Sequence, residues 1–232
     1  MNTDKNQTYI IIPAYNEGVV IKKTIQDLQN AGYLNIVVVD DCSTDNTFAQ
    51  AQEAGVMVLR HLINRGQGAS LRTGIEYVRE NFSPEIIVTF DADGQHQPKD
   101  IPKLTQPLIN NEADIVLGSR FLKKNSTTNI TTARKIMLKF AILFTNIISG
   151  IKLTDTHNGF RALNEKAYQS IKITRRGMEH ASEIIDEIRK KHLRFTEVPV
   201  HIIYSDYSQS KGQATSNFIK LGIKVILHKI LN

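Results

Sequence analysis

Short apolar runs alternate with longer amphipathic segments over the first half of the chain. Runs with the length of buried strands, rich in isoleucine and valine, occupy residues 9–13, 35–40, 56–59, 86–91 and 115–118. The segments between them have helical length and spacing and cover residues 18–31, 45–54, 67–80 and 100–111. Continuous apolar strands that alternate with helices predict an α/β fold with a Rossmann-like, mostly parallel central sheet flanked by helices.

The pattern changes after residue 120. Apolar residues recur at helical spacing over 132–151, and residues 183–192 have the pattern of another helix. Residues 194–204 predict a strand, which a proline inside it places at a sheet edge or a bulge. The tail, residues 216–231, is amphipathic, so we expect helices at the C-terminus that are apolar on one side and basic on another.

The composition is that of a soluble globular protein, with 41% hydrophobic and 22% charged residues. These values exclude a disordered, collagen-like or mostly membrane-embedded chain. The single cysteine, Cys42, rules out an intramolecular disulfide and a four-cysteine zinc site. The uncharged stretch 140–151 is too short for a spanning helix, and the N-terminus lacks the apolar core of a secretory signal. Since no linker or repeat divides the chain, we expect one cytoplasmic domain over residues 1–232.

The net charge of +6 is unevenly distributed along the chain. Residues 115–154 hold seven basic residues and residues 207–232 hold four, and neither segment contains an acid. The rest of the chain is therefore net negative. This asymmetry predicts an anionic partner, such as a nucleotide, a lipid phosphate, a membrane surface or nucleic acid, and the alternative is a solvated basic face.

Polar clusters follow the ends of the predicted strands, which meet at one edge of a parallel sheet. Residues 13–17 can present backbone groups, an aromatic ring and a carboxylate to a base or ribose, although an ordinary strand-to-helix turn explains them equally well. Asp40 and Asp41 are adjacent carboxylates that repel each other, so a base N–H or sugar hydroxyls would explain them. Helix capping alone explains residues 43–45.

A glycine-rich segment, residues 64–74, opens a predicted helix, where phosphate groups can bind. It is not a dinucleotide-binding fingerprint, since Leu71 stands where the third glycine belongs, and it is not a P-loop. The small residues can instead serve to allow a close approach of the helix.

The sequence DADGQHQP follows the fourth strand directly. Alternating carboxylates at a strand end, Asp91 and Asp93, can hold Mg²⁺ or Mn²⁺, because these ions prefer oxygen ligands. Gln95 can add a third oxygen, Gly94 allows a sharp turn, and His96 is explained as a turn residue bonded to the backbone. An acidic turn without a metal is the alternative.

Three further groups complete the candidate chemistry. Arg120, at the end of the fifth strand, can hold a phosphate through two parallel hydrogen bonds. Asp155, in the polar loop TDTHNGFR, can act as general base on an acceptor hydroxyl or form an Asx-type turn. Lys211, in a loop that we expect to be flexible, can close over a diphosphate.

These motifs together resemble glycosyltransferase family 2, of the inverting GT-A type. The resemblance covers residues 9–120 through IIPAYNE, VVDDCSTD, NRGQGASLRTG, DADGQHQP and GSR. Downstream, TDTHNGFR and VPVHIIYSDYSQSKGQ resemble the polyprenyl-phosphate glycosyltransferases, such as dolichyl-phosphate mannose or glucose synthases. The resemblance implies that residues 1–120 bind the nucleotide sugar, that residues 121–213 bind the acceptor, and that residues 214–232 form a basic amphipathic tail.

The resemblance also implies roles for individual residues. It assigns donor binding to Pro13, Ala14, Tyr15, Glu17, Asp41, Asp91 and Lys211. It assigns a Mg²⁺ or Mn²⁺ ion to Asp91, Asp93 and Gln95. It places Asp155 and Arg120 at the reaction, and on the acceptor side Asn158, Arg161 and Glu183.

The function that follows is metal-dependent, inverting transfer of a sugar from a UDP- or GDP-sugar to a polyprenyl phosphate. The alternative is transfer to a saccharide hydroxyl in capsule or cell-surface polysaccharide synthesis. A nucleic-acid-binding module lacks a binding motif here, so we expect no nucleic-acid partner. A nucleotidyltransferase would need a basic glycine-rich loop where residues 14–17 stand.

Membrane contact is a separate hypothesis. Residues 132–151 and 216–231 are amphipathic with basic flanks, as helices that lie at a membrane surface are. We therefore expect a peripheral protein at the inner face of the cell membrane. The alternative is that these stripes pack against the sheet or against a second copy in a homo-oligomer.

Overall fold

The computed structural model describes residues 5–123 and 126–207. The strands are β1 (Thr8–Ala14), β2 (Ile36–Asp40), β3 (Met57–Arg60), β4 (Ile86–Thr89), β5 (Ile115–Ser119), β6 (Thr127–Thr128), β7 (Arg161–Asn164), β8 (Phe195–Pro199) and β9 (Ile202–Ile203). The α-helices are α1 (Ile21–Asn30), α2 (Thr47–Glu53), α3 (Gln67–Asn81), α4 (Ile101–Ile109), α5 (Thr132–Ser149), α6 (Glu165–Ser170) and α7 (His180–Lys190). Short 3₁₀ helices cover Lys5–Gln7 and Pro98–Asp100.

One central sheet joins strands from both parts of the chain. Its strand order is β3-β2-β1-β4-β7-β5-β8, and β6 pairs with β9 in a small separate ladder. The neighbours pair in parallel except at β7, which runs antiparallel to both β4 and β5. The predicted mostly parallel α/β architecture is confirmed.

Alternate residues of the central strands serve two separate cores. Ile10 and Ile12 face one core together with residues of α1, α2 and α4, whereas Ile11 faces the other with residues of α3, α6 and α7. Side chains alternate across a strand, so apolar residues at every position are what a sheet covered on both faces requires. Gly74 belongs to this packing, since a Cβ there would lie 2.5 Å from Cγ2 of Ile11.

The five predicted strands and four predicted helices of the first half are confirmed, with shifts of up to three residues at their ends. Strand β7 was not predicted. It has four residues, of which the first is Arg161, so it shows no continuous apolar run. Its place comes from pairing on both sides, with β4 and with β5.

The second half follows its predictions with one division. Helices α5 and α7 match the predicted segments 132–151 and 183–192. The predicted strand over 194–204 divides after Pro199 into β8, at the edge of the sheet, and β9. The amphipathic tail predicted over 216–231 lies outside the described residues.

Helix α5 presents apolar side chains to the outside. Its exposed residues include a stripe at helical spacing: Ile136, Phe140, Leu143 and Ile147. Its buried residues include Leu138, Thr145 and Ser149. These four side chains therefore do not pack against the sheet. In the part of the chain that the structure describes, no helix is long and apolar enough to cross a membrane.

Candidate active site

A cleft of about 400 Å³ opens at the carboxyl edge of the sheet. Loops after β1, β4 and β5 reach this edge, and so does the loop before β7, because β7 runs in the opposite direction. The cleft brings together ten of the predicted site residues: Pro13, Ala14, Tyr15, Glu17, Asp41, Asp91, Asp93, Gln95, Arg120 and Asn158.

The loops after β1 and β2 brace each other beside the cleft. The Asn16 backbone N–H donates to Oγ of Ser43 at 2.9 Å, and Oδ1 of Asn16 accepts from the Thr44 N–H at 2.8 Å. The Gly18 N–H donates to Oδ2 of Asp45 at 3.0 Å. Helix α2 begins after Asn46 without a side-chain cap, so the expectation that Ser43 or Thr44 caps it is wrong. These side chains instead join two loops that are distant in sequence.

Asp40 and Asp41 each have partners of their own. Asp40 forms an ion pair with Arg60, whose Nε lies 3.1 Å from Oδ2. The Asp41 carboxylate accepts the N–H groups of Arg65 and Gly66 at 2.8 and 2.6 Å and lies 2.7 Å from Nδ1 of His61. Internal partners therefore offset the repulsion between the two acids, while Asp41 also lines the cleft.

The glycine-rich segment at the start of α3 meets another loop of the protein. A Cβ on Gly68 would lie 2.2 Å from the Arg175 carbonyl oxygen, and one on Gly66 would lie 2.5 Å from that of Arg176. The Ala69 N–H donates to the Arg176 carbonyl at 3.2 Å. Close approach therefore accounts for these glycines, and a carbonyl takes an N–H group that a phosphate would need.

The acid pair after β4, Asp91 and Asp93, lies in the cleft, and neighbouring side chains contact Asp91. Asp91 accepts from Nε2 of Gln67 at 3.0 Å, and its Oδ2 lies 3.4 Å from Nε2 of His96. Nδ1 of His96 accepts the Asp91 N–H at 3.1 Å, as its predicted turn role requires, and its ring stacks on Phe160. Burial lowers the pKa of His96 to about 4, so the ring is neutral at neutral pH.

The charges of this pair fit a divalent cation. Burial raises the pKa of Asp91, and burial together with the Asp91 charge raises the pKa of Asp93 to about 6. No group of three His, Cys, Asp or Glu side chains with metal-site geometry occurs among the described residues. Two carboxylates and the Gln95 amide oxygen suit Mg²⁺ or Mn²⁺, which bind proteins through few carboxylates and complete their shell with phosphates and water.

Two arginines form a cationic wall of the same cleft. Nη1 of Arg120 donates to the Tyr204 hydroxyl at 2.8 Å, and the Arg134 guanidinium lies over the Tyr204 ring, 4.8 Å from its centre. Both arginines line the cleft. Burial opposes the charge of Arg120, yet Asp155 and Tyr204 raise its pKa above the usual range. Arg134 was not predicted, and its only signal in the sequence is its place in the acid-free segment 115–154.

Comparison with known proteins assigns the family. The sequence profile of glycosyl transferase family 2 matches residues 9–172. The chain belongs to glycosyltransferase family 2. It is therefore a glycosyltransferase, as its sequence motifs predict.

Two relatives within the curated proteins are similar over nearly the whole chain. An uncharacterized protein of Methanocaldococcus jannaschii is 39% identical, over 98% of this chain and 94% of the relative. The UDP-N-acetylglucosamine–dolichyl-phosphate N-acetylglucosaminyltransferase of Methanococcus voltae is 33% identical, over 96% of each chain. The resemblance to polyprenyl-phosphate glycosyltransferases is thereby confirmed.

A solved structure shows the same fold. Glucosyl-3-phosphoglycerate synthase from Mycobacterium tuberculosis, in complex with Mn²⁺ and UDP-glucose, superposes with a TM-score of 0.71 and 18% identity. The superposition covers 94% of this chain and 76% of that chain. This chain therefore has the GT-A fold that its family resemblance predicts.

Three residues that the family resemblance singles out do not line the cleft, and a fourth lies outside the described residues. Asp155 is buried behind Arg120, and its Oδ1 accepts the His157 N–H at 3.3 Å, as in an Asx turn. Arg161 is buried at the start of β7, where burial lowers its pKa to about 10. The Glu183 carboxylate accepts the Arg175 N–H at 3.0 Å, away from the cleft. Lys211 lies outside the described residues.

Proposed function

We propose that this family 2 enzyme transfers a sugar, with inversion, from a UDP- or GDP-sugar to a polyprenyl phosphate at the inner face of the membrane. The observation that carries the proposal is one cleft with an acid pair, Asp91 and Asp93, and a cationic wall, Arg120 and Arg134. The acid pair suits the metal ion of a nucleotide diphosphate. The cationic wall suits a second, separate phosphate.

The donor half of the proposal uses the loops after β1, β2 and β4. Asp91, Asp93 and Gln95 would hold Mg²⁺ or Mn²⁺, which would neutralise the charge that develops on the leaving diphosphate. The nucleoside would bind among Pro13, Ala14, Tyr15, Glu17 and Asp41. The Asp41 carboxylate accepts hydrogen bonds and would therefore bind a base through an N–H group of that base.

The acceptor half uses Arg120 and Arg134. A phosphate monoester is already an anion at neutral pH, so its oxygen can attack the anomeric carbon without a general base. The new carbon–oxygen bond forms opposite the breaking bond to the diphosphate, which inverts the anomeric centre. The two guanidinium groups would orient the phosphate for this attack. In this proposal the boundary between the donor half, residues 1–120, and the acceptor half, residues 121–213, of one domain falls at Arg120.

The described side chains favour a phosphate over a saccharide hydroxyl as acceptor. A hydroxyl needs a base, and Asp155 was the predicted one. The Asp155 carboxylate is buried and accepts Nε of Arg120 at 2.6 Å, so it does not meet the cleft. Of the acids that line the cleft, Glu17 accepts the Tyr207 hydroxyl at 2.9 Å and Asp41 accepts two backbone N–H groups.

The relative from Methanococcus voltae supports the same acceptor class, since its name gives dolichyl phosphate as its acceptor. Helix α5 supports action at a membrane surface. Its outer face carries the exposed apolar stripe, and Arg134 and Leu138 on the same helix line the cleft. A helix that meets lipid on one side would thus border the acceptor site on another.

The test of this function is release of nucleoside diphosphate from a panel of UDP- and GDP-sugars with Mn²⁺, with and without undecaprenyl phosphate in detergent. We expect release that requires the lipid and falls in Arg134→Ala. Lys139→Ala is the matched control, because Lys139 is an exposed cation on the same helix. Lipid-independent donor hydrolysis, together with transfer to a saccharide, would instead support the hydroxyl acceptor. No release from any donor would contradict the proposal.

The membrane part has its own test, flotation with vesicles that contain anionic lipid. We expect the protein to float at low salt and Phe140→Ser to float less. Leu62→Ser is the control, since Leu62 is exposed but lies outside α5. Equal flotation of both variants, or none by the unsubstituted protein, would contradict membrane contact through α5. Concentration-dependent dimers lost in Phe140→Ser would assign the stripe to a second copy instead.

A further inference from the structure

Arg120 is hydrogen-bonded to Asp155, and the backbone of Asp155 is hydrogen-bonded to a second acid, Glu197. Oδ2 of Asp155 accepts both the backbone N–H of Arg120, at 3.1 Å, and its Nε, at 2.6 Å. The backbone N–H of Asp155 donates to Oε1 of Glu197 at 3.0 Å. Glu197 lies on β8, beside Leu117 of β5 in the strand register.

Glu197 also fixes the residue before Asp155. Its Oε2 accepts the Thr154 backbone N–H at 2.8 Å, and its Oε1 accepts the Thr154 hydroxyl at 2.9 Å. Because that hydroxyl proton goes to the carboxylate, the Ser119 hydroxyl, 2.6 Å away, donates to Oγ1 of Thr154. Ser119 directly precedes Arg120. The arginine and the residue before it are therefore both hydrogen-bonded to the segment that Glu197 holds.

A carboxylate, which only accepts hydrogen bonds, suits this position. Within residues 5–123 and 126–207, every donor to the Glu197 carboxylate is an N–H or O–H group of Thr154 or Asp155. A glutamine would turn an NH₂ group toward one of these donors and lose at least one bond. The position is also costly, since burial raises the pKa of Glu197 and the Asp155 charge raises it further. Arg120, which faces the cleft, is the group that this costly arrangement orients.

We infer that Glu197 is a positioning residue of the acceptor site, which sets the guanidinium of Arg120 through Thr154 and Asp155. The inference rests on the proposed function only where Arg120 is said to bind the acceptor phosphate. The geometric part, that Glu197 sets Arg120, stands by itself and is tested without substrate.

The first test observes Arg120 directly, by NMR of the full chain labelled with ¹⁵N-arginine. We expect the buried Arg120 Nε–H to exchange slowly with solvent and Glu197→Gln to exchange it about tenfold faster. The Arg194 Nε–H, which faces Asp114, is the internal control and should not change. Equal exchange of Arg120 in both proteins would overturn the inference, whatever the enzyme does.

The second test separates positioning from stability in the lipid-dependent assay. We expect Glu197→Gln to raise KM for undecaprenyl phosphate about tenfold, with kcat and KM for the nucleotide sugar within twofold. Glu112→Gln, an exposed acid near the other end of β5, is the matched control. A loss that affects both substrates equally and follows the folded fraction would overturn the inference.

A pair of variants that retains Glu197 covers the case in which Glu197→Gln does not fold. Thr154→Ser keeps the hydroxyl link, whereas Thr154→Val removes it at similar volume. We expect Thr154→Ser to match the unsubstituted protein in the Arg120 signal and in KM, and Thr154→Val to change both. Identical behaviour of the two variants would overturn the link through Thr154. Absence of lipid-dependent turnover in the unsubstituted protein would refute the proposed function and leave the NMR result to decide the positioning.

Discussion

Strand β5 has an acid–arginine cluster at each end, and the two clusters differ in what they leave open. Before the strand, Asp114 accepts Nη2 of Arg194 at 2.8 Å and Nζ of Lys166 at 3.0 Å. After the strand, Arg120 meets Asp155. The Asp114 side chain is 1% exposed, while those of Arg194 and Lys166 are 47% and 59% exposed. The Arg120 side chain, by contrast, is itself buried beside the cleft.

Similar groups thus have different surroundings at the two ends of the strand. Asp114 is satisfied by its partners, and their hydrogen bonds, those of Arg194 above all, hold its pKa well below the usual range. At the other end, Arg120 lines the cleft together with a further cation, Arg134. The first cluster is enclosed by its own partners, whereas the second borders the cleft, where the proposed function would use its positive charge to bind a phosphate.

The largest expected effect is at the acid pair in the cleft. Asp93→Ala should lower turnover about 10³-fold, because the diphosphate loses the charge stabilisation of the metal ion. Stability should not fall, since the substitution removes a half-buried acid beside the charge of Asp91. Nucleoside diphosphate release and urea unfolding measure the two effects. Asp27→Ala, at a surface ion pair, is the control, and equal turnover in both variants would contradict the metal role.

The opposite result is expected at Asp114. Asp114→Ala should lower the free energy of unfolding by about 2 kcal/mol, because it leaves the Arg194 backbone N–H and its side-chain partners without their acceptor. The solvated heads of Arg194 and Lys166 keep the effect moderate. Activity per folded molecule should be unchanged. Urea unfolding measures the stability, and the lipid-dependent assay, corrected for the folded fraction, measures the activity. A change in KM for either substrate would contradict the difference between the two ends of β5.

A milder change tests the geometry of the cationic wall. Arg120→Lys keeps the charge but loses the guanidinium fork that binds Asp155, Tyr204 and an anion together. We expect KM for the lipid phosphate to rise about tenfold, which corresponds to about 1.4 kcal/mol. Stability should change little, because Asp155 keeps a cationic neighbour. An unchanged KM would show that charge alone suffices at this end.

The smallest expected effect is that of acidification, which should protonate Asp93 in the cleft at a higher pH than Asp114. Asp93 has its pKa raised to about 6, so its protonation between pH 7 and 5 should weaken Mn²⁺ binding, by about tenfold per unit below pH 6. An acid whose pKa is raised in the folded protein stabilises the fold as it becomes protonated. The metal-free fold should therefore not become less stable between pH 7 and 5. Asp114 has a lowered pKa, and its contribution is lost only at lower pH. Calorimetric titration with Mn²⁺ and unfolding at pH 7 and 5 check both signs.

Much of the fold and half of the site followed from the sequence because their signals are local. An apolar strand between helices is visible in a short window, and a parallel sheet brings the strand ends to one edge. That was enough to predict that Asp41, Asp91 and Arg120 meet in one place, as they do.

The remainder depends on contacts between distant residues. The Glu197 carboxylate accepts hydrogen bonds from Thr154, 43 positions earlier, and Arg134 lies over the ring of Tyr204, in the segment after β9. No periodicity records such pairs. The sequence leaves two roles open for Asp155 for the same reason, since a carboxylate in a polar loop has the same local sequence whether it faces a cleft or an arginine.

The reversed strand β7 links the order of synthesis to the assembly of the enzyme. Arg161 pairs with Thr89 on β4 and with Leu117 on β5, so both of these strands leave the ribosome before the strand that separates them. Until residues 161–164 are made, the inner edges of β4 and β5 have no neighbour in the final sheet. Docking of β7 closes this gap and carries the preceding loop to the cleft in the same step. A nascent chain that stops before β7 would therefore lack both a closed sheet and an assembled site.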